Sequence, residues 1–147
     1  MKNLRRLLAC CAAALLVVAS AGAAEWTEDY ASALAKAKKE HKLVLLDFTG
    51  SDWCVWCKRI DLEVFSTPKF KEFADERLVL VTVDFPREHP QKDEIKAQNK
   101  GLAEKFGVEA YPTLIVLDPA EKVVFKQEGY EEGGPEAFIA KFPKATN

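Results

Sequence analysis

Beyond residue 24 the spacing of apolar positions changes several times, and each change marks a different element. Trp26, Tyr30, Leu34 and Ala37 recur at helical spacing, with Thr27 as a candidate cap. Lysines cluster through Lys42, which suits the negative end of a helix dipole, so a first helix is predicted to end near Glu40. Leu43 to Phe48 is then an apolar run broken by Asp47 alone, the signature of a strand buried on both faces. Thr49-Gly50-Ser51-Asp52 reads as a turn, and Val55 to Val64 as a helix that begins at a cysteine pair. Ser66-Thr67-Pro68 ends it and starts another, with Ser66 or Thr67 as cap and Pro68 at the first helical position. Leu78 to Val83 repeats the buried-strand pattern, so strand, helix and strand follow in order and predict a parallel pair with a crossover helix. Asp84 to Lys100 is polar and carries Pro86 and Pro90, which predicts an exposed insertion holding a helical turn or two. Leu102, Ala103 and Phe106 mark a short helix stopped by Gly107. Thr113–Leu117 and Val123–Lys126 are two strands joined as a hairpin through Asp118 to Lys122, and Pro135 to Phe142 closes the chain as a helix after Gly133-Gly134. No repeat, low-complexity tract or linker interrupts this order, which predicts one α/β domain.

The first 24 residues follow a different rule. Lys2, Arg5 and Arg6 make a basic start, Leu7 to Val18 is apolar, and small residues run on to Ala24. This is the pattern of a secretory signal peptide over residues 1–24, cleaved after Ala23 or after Ala24, with the domain occupying 25–147. The apolar core is short for a membrane span, although an uncleaved anchor is the alternative reading. Leu7-Leu8-Ala9-Cys10 looks like a lipoprotein box but precedes the apolar run, so Cys10 and Cys11 read as ordinary signal residues. Removing the three basic residues of this segment lowers 21 to 18 against 23 acidic ones, a net charge of −5. Such a chain has no basic patch for nucleic acid and no stable membrane insertion once the signal is cut. It is also large enough to bury about two-thirds of its unfolded surface without a disulfide scaffold.

That leaves Cys54 and Cys57 as the cysteines of the domain. Their loop is too small to staple a fold, because the entropy a disulfide removes from the unfolded chain grows with loop length. Chemistry is the better explanation. Two intervening residues put both thiols on one helical face a turn apart, within disulfide reach. At a helix N-terminus, unpaired N–H groups and the dipole favour a thiolate, so Cys54 is the expected nucleophile. Cys57, deeper and protonated, is expected to attack the resulting mixed disulfide. A zinc site would want four ligands, and neither His41 nor His89 stands at ligand spacing, so no metal and no organic cofactor is expected.

Asp47-Phe48 before the pair, Trp53-Cys54-Val55-Trp56-Cys57-Lys58 at a strand-to-helix junction, and Tyr111-Pro112-Thr113 opening a later strand together resemble the thioredoxin superfamily. The resemblance runs from about Leu43 to the C-terminus. It implies a thioredoxin-like fold, a central mixed β-sheet flanked by helices, with Pro112 cis beside the cysteines and the Tyr111 backbone pairing an extended substrate segment. It also implies that Asp47, or a water beside it, exchanges a proton with Cys57. The loop from Asp47 to Cys54 is longer by a residue than in ordinary thioredoxins, and the lysine that accompanies the buried aspartate there is missing from Leu78 to Val83. Val55-Trp56 replaces Gly-Pro, and with Asp52-Trp53 and Phe65-Ser66-Thr67-Pro68 it looks closer to the C-terminal thiol-reductase domain of the bacterial transmembrane electron-transfer protein. There a carboxylate four residues after the second cysteine assists proton transfer, a place held here by Asp61, for which a solvated helix position is the simpler reading. Trp53 is either core support or part of the rim, whereas Trp56 is expected to be exposed and to meet client polypeptide, as is Tyr111.

These readings predict thiol–disulfide exchange on client proteins in the bacterial cell envelope, periplasmic or secreted. Reduction is the preferred direction, with a membrane thiol donor or acceptor recycling the pair. An oxidant or isomerase, a copper metallochaperone and a binding module without turnover are the rivals. The copper proteins of this fold have a wider cysteine spacing and a distal histidine, and this chain has neither.

Overall fold

A computed structural model describes residues 23–143, so the expected export segment lies outside the described residues except for Ala23 and Ala24. The elements in chain order are β1 Trp26–Thr27, α1 Tyr30–Glu40, β2 Leu43–Thr49, α2 Val55–Ile60, α3 Pro68–Arg77, β3 Leu78–Asp84, α4 Asp93–Phe106, β4 Thr113–Leu117, β5 Val123–Glu128 and α5 Gly134–Ile139. The strands form one sheet in the order β1-β3-β2-β4-β5. β1 and β2 both run parallel to β3, while β4 is antiparallel to β2 and β5 to β4, which makes the sheet mixed.

Because successive strand residues face opposite sides, β2 sends Val44, Leu46 and Phe48 to one face and Leu45 and Asp47 to the other. The first group packs with Ala33 and Ala37 of α1 and Leu102 of α4. Leu45 joins Ile60 of α2, Phe70 and Ala74 of α3 and Phe138 of α5 on the opposite side. Asp47 is therefore delivered to the α2 side of the sheet, where a carboxylate has no apolar reason to be.

Several boundaries differ from the sequence reading, each for an identifiable reason. Trp26 and Thr27 are not the start of the first helix but pair as an edge strand with Leu80 and Val81. The helix cap is instead Asp29, whose side chain accepts the Ser32 N–H at 2.9 Å. The helix predicted over Val55 to Val64 is α-helical only to Ile60 and continues as a π-helical turn over Asp61–Phe65, in which the Ser66 N–H reaches the Asp61 carbonyl.

The polar stretch after β3 is not an insertion with a turn or two. Asp93–Phe106 forms one helix of 14 residues, ending at Gly107 with φ 59° as expected. It is held to the body by amides: Asn99 Nδ2 donates to the Asp84 carbonyl at 2.9 Å, and Gln98 accepts from Tyr30 N–H and donates to the Glu28 carbonyl. Apolar periodicity does not register such contacts. α5 is shorter than predicted, ending at Ile139.

Candidate active site

The turn after β2 places the cysteines. The Trp53 and Cys54 N–H groups both donate to the Gly50 carbonyl, at 3.2 and 2.8 Å, which reverses the chain and points it into α2. Cys54 is the N-cap of that helix in extended conformation, and its sulfur accepts the Cys57 N–H at 3.2 Å. The pair is joined as a disulfide with Cα atoms 5.2 Å apart. An N–H aimed at the Cys54 sulfur is the contact that favours a thiolate there. Both cysteines are buried, Cys57 at 4% and Cys54 at 5% exposed. What separates them is what they face, because Cys57 lines a half-open cavity.

That cavity, of about 320 Å³, lies between α2 and the sheet. Cys57, Asp47 and Asp61 share it with Lys58, Thr49 and Thr82, so the two carboxylates singled out in the sequence line one space beside the second cysteine. Asp47 is buried, and among the described residues its Oδ1 has no hydrogen-bond partner. Burial, then the charges of Asp61 and Asp84, push its carboxyl up to about 8. Asp61 is exposed at the cavity wall. Lys58, which enters from α2, donates to the Asp52 carbonyl at 2.9 Å.

On the other side of the turn Trp53 is fixed three ways. Its indole N–H donates to the Phe85 carbonyl at 2.8 Å, its ring meets Tyr111 edge-on at 5.6 Å, and the Arg87 guanidinium lies 3.8 Å from the ring centroid. Gly50 is required beneath it, because a Cβ there would fall 2.4 Å from the indole. These contacts make Trp53 a support for the turn. The Tyr111 ring is occupied by Trp53 and Phe85, and the Tyr111–Pro112 peptide bond is cis. Trp56 is 51% exposed and stacks on Tyr130, with ring centroids 5.5 Å apart.

The sequence reading passed over Asp52 and Tyr130. The Asp52 carboxylate accepts the N–H groups of Arg87, Glu88 and His89, and Ser51 is bound by its N–H and hydroxyl to Asp84. Partial desolvation raises the Asp52 carboxyl, but those N–H donors outweigh it and hold the group below its usual value. The two contacts clamp the turn to the end of β3. No local pattern reveals them, since the partners lie more than 30 residues apart.

A cysteine pair at a helix start, a cis proline and a mixed sheet of this order define a thioredoxin-type redox protein, and residues 30–146 match the thioredoxin-like domain family, to which the chain belongs. It is a thiol–disulfide oxidoreductase of that family. Among its relatives is the disulfide bond reductase DsbH of Chlamydia pneumoniae, 38% identical over 121 residues, covering 82% of this chain and 72% of that protein. A solved structure titled DsbH oxidoreductase superposes with a TM-score of 0.76 at 33% identity, over 96% of this chain and 90% of the other. The C-terminal domain of Neisseria meningitidis DsbD, at 22% identity and a TM-score of 0.58 over 79% of this chain and 95% of that one, shares the fold. Among the described residues no helix is long and apolar enough to cross a membrane.

Proposed function

We propose that this chain, exported through residues 1–24 and working as the domain 25–147, reduces disulfides of client proteins in the bacterial cell envelope. The observation that carries the reading is the Cys54 sulfur at the helix N-cap, bridged to a Cys57 that opens on a cavity containing Asp47. The name of the Chlamydia relative favours the reductive direction.

In the dithiol form, the Cys54 thiolate attacks a client sulfur, and the client's other sulfur leaves as a thiolate and takes a proton from water. Cys57 then loses its proton, attacks the Cys54 sulfur and frees the second client thiolate. Two electrons pass to the client and the Cys54–Cys57 disulfide remains, the form seen in the structure. A dithiol on a membrane partner is needed to return those electrons. Asp47 suits the proton step because it lines the same cavity as Cys57 and its carboxyl, pushed up to about 8, exchanges its proton near neutral pH. Once ionised, Asp47 takes the Cys57 proton, directly or through one water, and Asp61 at the cavity wall connects the site with solvent.

The test is reduction of a disulfide-bonded client protein by the pre-reduced domain. Cys54→Ser is expected to abolish it, while Cys57→Ser is expected to accumulate a mixed disulfide with the client, visible on a non-reducing gel. Turnover by Cys54→Ser at the unaltered rate would overturn the assignment.

A further inference from the structure

We infer that the Asp75 carboxylate is the receptor for the N-terminal ammonium of the processed chain, which is cut between Ala23 and Ala24 so that Ala24 carries that ammonium. The inference rests on the export reading above, refines its boundary by one residue, and is independent of the direction of electron flow.

Two bonds satisfy the small-residue rule of signal-peptide cleavage, one after Ala21-Gly22-Ala23 and one after Gly22-Ala23-Ala24. The fold tells their products apart. The Ala24 N–H donates to the Asp75 carboxylate, from a position 51 residues away in the chain. Ala23 is exposed, whereas Ala24 is half-buried and packs against the core on the α3 side of the sheet. Hydrolysis after Ala23 adds the water oxygen to the Ala23 carbonyl carbon, which leaves as a carboxylate, and both water protons to the Ala24 nitrogen. The donor that already faces Asp75 thereby becomes an ammonium. Hydrolysis after Ala24 discards it.

Asp75 lacks the cation that its position calls for. It stands in the last turn of α3, where the negative end of the helix dipole disfavours a carboxylate. It is half-buried in a hollow shared with Trp26, Phe65 and Phe70, so water screens its charge only in part. The nearby lysines are turned elsewhere. Lys42 directs its ammonium to the Asp75 main-chain carbonyl at 2.9 Å and to Glu40 at 3.1 Å, and Lys71 is exposed at the edge of the hollow. Among the described residues the Asp75 carboxylate has no side-chain ion pair. An ammonium on Ala24 supplies the missing charge as a charge-assisted hydrogen bond.

The pair bears on the redox centre through Trp26, two residues further on. Trp26 belongs to β1, a strand of two residues held by Leu80 and Val81 of β3, and its ring lies 5.1 Å from that of Phe65. Both rings line the cavity into which Cys57 opens. Fixing Ala24 to α3 pins the edge strand that closes this cavity.

The test has two parts. The full chain is expressed in a bacterium and recovered from the cell envelope, and its intact mass is expected to correspond to a chain starting at Ala24. Two chains released from a cleavable tag are then compared by urea denaturation, one starting at Ala24 and one at Ala21. The longer chain keeps the Ala24 N–H as a neutral amide and carries its ammonium up to about 10 Å away. The unfolding equilibrium constant of the Ala24 chain is expected to be about fivefold the smaller, the scale of one ion pair. The two chains are expected to agree when both carry Asp75→Asn, and to converge as salt is raised. A processed chain starting at Glu25, equal stability of the two chains, or an advantage that survives Asp75→Asn would overturn the inference while leaving the export and reductase readings in place. An uncut chain in the cell envelope would overturn the export reading and the inference with it.

Discussion

Asp47 occupies a position that a strand buried on both faces would ordinarily give to an aliphatic residue, and its titration carries a thermodynamic signature. Burial first, and the charges of Asp61 and Asp84 after it, raise its carboxyl from 3.8 to about 8. Between those values the folded protein holds a proton that the unfolded chain releases. Stability from this group is therefore fully present at low pH and falls as pH rises from about 4 to about 8. Asp47→Asn is expected to flatten that dependence and to melt above the unaltered protein at pH 8, which thermal denaturation at pH 5 and pH 8 reads directly. The same variant should slow release of client from Cys54 more than its capture. Gly50 supplies a second residue-level prediction. Gly50→Ala puts a methyl group 2.4 Å from the Trp53 indole, so the ring must leave its bond to the Phe85 carbonyl and its contact with Tyr111. The expected cost is about 1–3 kcal/mol, measured by urea denaturation with indole fluorescence as the probe.

Among the elements, those built on apolar period were legible from the chain and those built on amides were not. β2, β3 and β4 follow from runs such as Leu43–Phe48 and Leu78–Val83, because a strand covered on both sides must be apolar throughout. Only the C-terminal end of α4 was legible, because what fixes the rest is Asn99, 1% exposed, and Gln98, polar residues whose partners are distant carbonyls. β1 escaped because two residues carry no period, and only the open edge of β3 gives them a partner. Removing the amide should show its weight. Asn99→Ala is expected to cost about 1–2 kcal/mol in chemical denaturation. The loop over residues 86–89 depends likewise on Asp52, and Asp52→Ala should increase hydrogen exchange at the amides of Arg87, Glu88 and His89.

For the molecule as a whole, the redox centre was readable because its chemistry is compressed into one short segment, while its surroundings are assembled from distant parts. Cys54, Cys57 and Pro112 stand out by residue type and by position relative to the strands. The clamp at Asp52, the shared cavity of Asp47 and Asp61, and the Trp56–Tyr130 wall exist only once the sheet has brought β2, β3 and the segment after β5 together. The central claim is that this assembly donates electrons. The reduction potential of the Cys54–Cys57 pair, measured by equilibrating the purified domain against defined thiol–disulfide buffers, tests it most directly. The account predicts a value toward about −270 mV, that of a thioredoxin-like reductant, whereas one toward about −120 mV would identify an oxidant and contradict it.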